Sequence, residues 1–118
     1  MQIFSKGCEK MDKELLKGSI DILLLSLISQ KDCYGYEMVK TLKESSRDVY
    51  NMGEGTLYPA LKRLEKKKWI LSYWQEADGG KRRKYYQITD GGSKELAKKI
   101  GDWNVVKELI QKTSEGLT

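Results

Sequence analysis

The chain has 118 residues, 39% of them hydrophobic and 33% charged, with one proline and a formal net charge of +5. This length holds one compact domain, and the composition excludes disordered and fibrous classes in favour of a helix-rich globular one. Two cysteines, Cys8 and Cys33, without any histidine leave no complete zinc or haem site and remove the commonest general base, so neither a metal, a cofactor nor an enzyme is expected.

Residues 1–11 show no apolar periodicity and read as a disordered extension ahead of the fold. They carry Lys6, Glu9 and Lys10 where a secretory signal would be apolar. The longest apolar run, Ile22 to Ile28, is bracketed by Asp21 and Lys31, well short of the roughly 18 residues of a membrane span. A cytoplasmic protein with no membrane partner is the expectation. From Glu14 to about Ser29, Leu16, Ile20, Leu23, Leu24, Leu27 and Ile28 recur at helical spacing and predict a first helix with one core-facing stripe. The same helix has a weaker second face at Leu15, Gly18, Ile22 and Leu25 or Ser26, which another surface must cover.

A short second helix is predicted from Tyr34 to about Glu44, with Tyr36, Val39 and Leu42 or Lys43 spaced for partial burial, before Ser45 and Ser46 break it. Asn51-Met52-Gly53 is a turn signal. A third helix follows, ending near Lys67; Leu57, Ala60 or Leu61, Leu64 and the stem of Lys68 form its inward stripe, and Lys62, Arg63 and Lys66 occupy the opposite face. Trp69 to Gln75 and Lys84 to Thr89, rich in aromatic and β-branched residues and separated by Asp78-Gly79-Gly80, predict a β-hairpin. Thr89-Asp90 caps a last helix on which Leu96, Ile100, Trp103, Val106 and Ile110 share one side, and residues 113–118 form a flexible tail.

Charge is unevenly placed along this order. Residues 54–85 hold nine Lys or Arg against four acids, and the rest of the chain has thirteen of each sign, so the whole excess lies on the third helix and hairpin. That is the distribution of a surface that meets phosphates; a solvated lysine-rich face is the alternative. Three helices, a basic hairpin and a fourth helix make a mainly α, α+β winged helix-turn-helix. In that architecture the third helix enters the major groove of double-stranded DNA and the hairpin lies on the adjoining backbone.

Tyr34-Gly35-Tyr36-Glu37, the segment Gly55 to Glu65, and Arg83-Lys84-Tyr85-Tyr86 with Ile88-Thr89 and Gly91 or Gly92 follow one another in the order and spacing of the PadR-like transcriptional regulators. The chain resembles that family from about Leu15 to Ile110. The resemblance implies a DNA-binding domain over residues 12–90 and a dimerisation helix over 91–112, hence a homodimer and a repressor. The expected DNA-contacting set is Tyr36, Gly55, Thr56, Tyr58, Lys62, Arg63, Lys81, Arg82, Arg83 and Lys84. Thr56 and the amides around Gly55 also read as a helix cap. Lys68 stands where many members carry Gly, which implies an unusual backbone angle or a different helix end.

Trp103 reads either as packing in the dimer core or as an effector contact. The short, multidrug-sensing members that the chain resembles bind flat aromatic compounds between the two copies. The expected effector site then takes Leu15, Gly18, Ser19, Ile22, Trp103 and Lys107, with Lys107 favouring a neutral or anionic ligand. A winged-helix protein-interaction module without sequence-specific DNA binding is the alternative from another class.

Overall fold

The computed structural model describes residues 12–116; the expected extension at 1–11, with Cys8, and positions 117 and 118 lie outside the described residues. Helix α1, Lys13–Gln30, opens on Asp12, whose carboxylate accepts the Glu14 N–H at 2.7 Å and the Leu15 N–H at 3.4 Å. Two of the donors that every helix start leaves unpaired are thereby satisfied. Leu24, Leu25 and Ile28 are no more than 1% exposed, while Leu16, Ile20, Leu23 and Leu27 are half-buried against the same core. Of the alternatives Leu25 or Ser26 for the spare face, Leu25 is thus a core residue and Ser26 is half-buried. Contacts from the third helix, the second strand of the hairpin and the last helix all reach α1, so more than one side of it is covered.

Strand β1, Cys33–Tyr34, pairs antiparallel with the second strand of the hairpin at Cys33↔Tyr86 and Tyr34↔Tyr85. Two residues carry no readable period, so Tyr34 was expected as the start of a helix. Helix α2, Gly35–Ser45, begins one residue later, with the Glu37 carboxylate accepting the Tyr34 N–H at 3.3 Å. Met38 and Leu42, four apart, form its buried stripe, and Tyr36 is 66% exposed instead of partly buried. Two residues are more than half a turn from Met38, which turns Tyr36 outward.

Helix α3 spans Glu54–Lys66 and buries Leu57, Ala60, Leu61 and Leu64. Its end, and that of α2, close in the same way. The Lys68 N–H donates to the Glu65 carbonyl at 2.9 Å and the Trp69 N–H to the Leu64 carbonyl at 3.1 Å; Arg47 and Asp48 make the equivalent bonds to Glu44 and Lys43 at 3.2 and 2.8 Å. These are Schellman closures, which need a left-handed residue just past the helix. Lys68 at φ 63° and Arg47 at φ 54° take that role without being glycine. The unusual angle expected at Lys68 is therefore present. Its stem, however, is exposed and adds nothing to the inward stripe.

Strands β2, Ile70–Glu76, and β3, Arg82–Ile88, pair from Ile70↔Ile88 to Glu76↔Arg82 and are joined through the 3-10 turn Asp78–Gly80, where Gly79 and Gly80 have φ 82° and 77°. The sheet has order β1-β3-β2, so the expected two-stranded wing carries a third short strand at its base. Helix α4, Asp90–Ser114, runs two residues past the expected end at 112. Thr89 caps it: its hydroxyl accepts the Gly92 N–H at 3.0 Å and donates to the Lys68 and Trp69 carbonyls at 2.7 and 3.0 Å. A Cβ on Gly92 would fall 2.0 Å from the Trp69 carbonyl oxygen, so only glycine permits this docking.

The result is the expected mainly helical α+β fold, a winged helix-turn-helix followed by a long helix. One core joins all its helices and the base of the sheet, from Leu24 and Leu25 through Met38, Leu57, Leu61 and Leu64 to Ile70 and Leu96. Fully burying each such aliphatic side chain contributes about 2 kcal/mol. Beyond Leu96, α4 leaves its apolar residues uncovered: Ile100, Trp103, Val105, Val106, Leu109 and Ile110 are between 39% and 67% exposed. No helix among the described residues is long and apolar enough to cross a membrane.

Candidate nucleic-acid interface

Helix α3 divides its polar residues between two sides. Thr56, Ala60 and Arg63, at i, i+4 and i+7, border a cavity shared with Leu16 and Ile20 of α1 and with Tyr50 and Met52. The Arg63 guanidinium is paired with the Asp21 carboxylate at 2.5 Å. Arg63 is therefore held toward α1 and away from the wing. Thr56 does not cap the helix: the N-cap is Gly53, without a side-chain bond, and the Thr56 and Leu57 amides both donate to the Gly53 carbonyl at 3.1 and 2.9 Å. Gly55, Lys62 and Lys66 are exposed elsewhere on the helix, and Tyr58 is about half exposed.

Tyr58 is the hinge of the second side. Its hydroxyl lies so close to α2 that a Cβ on Gly35 would sit 2.7 Å from it, which accounts for the glycine between Tyr34 and Tyr36. Tyr58, Tyr36 and the wing residues Trp74, Arg83 and Lys84 surround a concavity of about 460 Å³ at the junction of α2, α3 and the hairpin. Three exposed aromatic rings and two cations thus come from four separate elements to one place.

The wing's cations are ordered by rings. Arg82 lies 5.1 Å from the centroid of Trp74, Arg83 4.6 Å from that of Tyr34, and Lys84 6.0 and 5.9 Å from those of Trp74 and Tyr86. Such contacts stabilise a cation by about 0.5–1 kcal/mol at exposed positions. Lys81 is exposed at the turn. Behind them Tyr85 stacks on Tyr73 at 5.8 Å and meets Tyr34 edge-on at 5.4 Å, and the Tyr73 hydroxyl donates to Asp32 at 2.5 Å. The wing base is thus tied to the segment between α1 and α2.

The sequence singled out Tyr36, Tyr58, Arg83 and Lys84, which the fold brings together, and Lys62, which shares the open side of α3. It missed Trp74. The available signal was a tryptophan in alternating register with Ser72 and Glu76 on a strand that carries no other large apolar residue on that face beyond Ile70.

A third cavity, of about 330 Å³, lies between α1 and α4 and is bordered by Gly18, Ile22 and Trp103 together with Asp21 and Arg63. Leu15, Ser19 and Lys107 do not border it. Leu15 and Lys107 are exposed, and the Ser19 hydroxyl is engaged by the Leu16 carbonyl at 2.8 Å. Cys33 is buried and unpaired, and burial, followed by the nearby Glu37 charge, pushes its thiol up to about 11. It is a protonated core residue.

The model of the transcriptional regulator PadR-like family matches residues 24–98, which include β1, α2, α3, the wing and the start of α4. Uncharacterized protein X of Lysinibacillus sphaericus is 38% identical over 104 residues, covering 88% of this chain and 95% of that protein. A transcriptional regulator from Clostridium thermocellum has 39% identity and a TM-score of 0.78, over 84% of this chain and 96% of its own. A PadR family transcription regulator from Clostridium difficile has 42% identity and a TM-score of 0.72, over 80% of this chain and 97% of its own.

Proposed function

The chain belongs to the PadR-like family of transcriptional regulators, and from that premise we propose that it binds double-stranded DNA as a cytoplasmic homodimeric repressor. The observation that carries this reading is the meeting of Tyr36, Tyr58, Arg83 and Lys84 at the junction of α3 and wing, with Lys62 on the adjoining open side of α3. Helix α3 then occupies the major groove, and Lys81 to Lys84 lie along the neighbouring phosphates. Gly55 and Thr56 sit at the helix start nearest the duplex, where backbone amides favour an anion. Arg63 supports this arrangement indirectly, by holding α3 to α1 through Asp21.

The six exposed apolar residues on the distal part of α4 support dimerisation through that helix, paired with the exposed first turns of α1. Two α3 helices in one dimer would meet matching half-sites. The cavity beside Trp103 supports a site for a planar aromatic effector, as in the short multidrug-sensing branch of the family, with Gly18 and Ile22 against the ring. In that reading Leu15, Ser19 and Lys107 act only by facing the second copy. Effector binding releases the operator.

Selection of bound fragments from genomic DNA with the purified protein, followed by anisotropy titration at several salt concentrations, tests the central claim. Enrichment of specific fragments is expected, with log affinity falling by about 0.9 per phosphate contact for each unit of log salt. If no fragment is enriched over random duplex, the reading is wrong. For the effector, flat aromatic compounds should quench tryptophan emission in the wild type and not in Trp103→Ala.

A further inference from the structure

Of the three exposed rings around the concavity between α2, α3 and the wing, Trp74 is the one carried by the wing itself. Trp74 is 55% exposed, although strand register puts it on the same face as the buried Ile70 and Tyr86. Its face of the hairpin leaves the core at this point. Directly across the ladder is Lys84, and one pleat further toward the tip Glu76 faces Arg82.

Arg82 has a carboxylate opposite it and does not use it. Among the described residues no ion pair joins Arg82 to Glu76; the guanidinium instead lies 5.1 Å from the centre of the Trp74 ring. Lys84 sits between two rings, 6.0 Å from Trp74 and 5.9 Å from Tyr86. One indole therefore gathers both cations of this face. Long basic side chains on an exposed hairpin otherwise keep their rotamer freedom, and each must lose it when it meets a phosphate.

We propose that Trp74 is a positioning residue for the wing: it holds Lys84, which borders the concavity, and Arg82, nearer the tip, as one preorganised cationic pair aimed at successive phosphates of a bound duplex. The inference rests on the DNA-binding reading above and deepens it. The ring acts through the cations and has no need to touch the DNA. Ordering them before binding removes part of the entropy cost that association otherwise carries.

A labelled duplex of random sequence is a sufficient probe, because phosphate contacts do not depend on sequence. Trp74→Leu keeps an apolar side chain and removes the ring, and should weaken binding about fivefold to tenfold, the loss expected when two long side chains must be ordered on association instead of before it. Trp74→Phe should recover much of that loss. The decisive measurement is the same Trp74→Leu change made in an Arg82→Ala/Lys84→Ala background, where it should cost less than about twofold because its partners are gone. An equal loss in both backgrounds would show a direct contact between the ring and DNA and overturn the proposal, as would unaltered binding by Trp74→Leu. Circular dichroism melts check that the variants fold; if Trp74→Leu does not, Trp74→Met, which also lacks a ring, replaces it in the two backgrounds. Absence of salt-dependent duplex binding by the wild-type chain overturns the DNA-binding reading itself, and the role of Trp74 with it.

Discussion

Two adjacent glycines at the start of α4 stand in different surroundings. A Cβ at Gly92 would meet the Trp69 carbonyl oxygen at 2.0 Å, whereas one at Gly91 would meet only the Thr89 hydroxyl at 3.7 Å. The first contact is with backbone that the Thr89 amide and hydroxyl both hold in place. Gly92→Ala should therefore lower stability by about 3 kcal/mol, at the upper end of overpacking costs. Gly91→Ala should be neutral or stabilise slightly, as alanine does in a helix. Urea unfolding of the two variants side by side checks the contrast. Lys68 presents the opposite case, a side chain where glycine would be easier. At φ 63° it bears the steric cost of the left-handed region, so Lys68→Gly should raise stability by about 0.5–1 kcal/mol and Lys68→Val should lower it.

At the scale of elements, the wing is fastened at its base by Tyr73 and Asp32, and this contact has a pH signature. The hydrogen bond to Asp32 is the main cause that pushes the Tyr73 phenol from 10.0 up to about 12. The folded value is raised, so the contribution of this bond is complete below about pH 10 and is lost as pH rises toward 12. In an ultraviolet titration the component ionising near 12 should vanish in Tyr73→Phe and move down in Asp32→Asn. The long elements were legible because their period repeats: α1, α3 and α4 show apolar residues over several turns, and the Asp78-Gly79-Gly80 signal marks the hairpin. Strand β1 was not, because two residues have no period and its pairing with β3 is a contact across some fifty positions. For the candidate site, the sequence reached every basic residue of the wing through charge alone. Charge could not distinguish Arg63 from Lys62, since only the approach of α1 reveals that Arg63 faces Asp21. Trp74 was hidden for a related reason. In a strand an aromatic residue ordinarily signals burial, and its exposure depends on where the hairpin leaves the core.

For the whole molecule, the question is what α4 does beyond its anchor. Gly92 and Leu96 are its only buried residues among those described, and they lie in its first two turns. The helix nevertheless continues to Ser114, and the molecule extends 57 Å along its longest axis, with a radius of gyration of 16.4 Å. A compact single domain of this length would have a radius of about 13 Å. A helix that leaves so much apolar surface open beyond Leu96 is poorly stabilised in water by its contacts with α1 alone, and a second copy would supply the missing surface. Val106 and Ile110 are 43% and 54% exposed and lie one turn apart. Replacing both with aspartate should place two charges in the buried seam of a dimer and leave the anchor at Gly92 and Leu96 untouched. Sedimentation should then show a monomer, and the melting temperature should lose its dependence on protein concentration while the winged domain stays folded. Separated half-site binding should follow: affinity for an operator of two half-sites falls by about 10²–10⁴, because the second contact is no longer intramolecular. Affinity for a single half-site should stay near that of the wild type. If the variant remains a dimer, α4 is not the interface, and some other surface of the molecule joins the two copies.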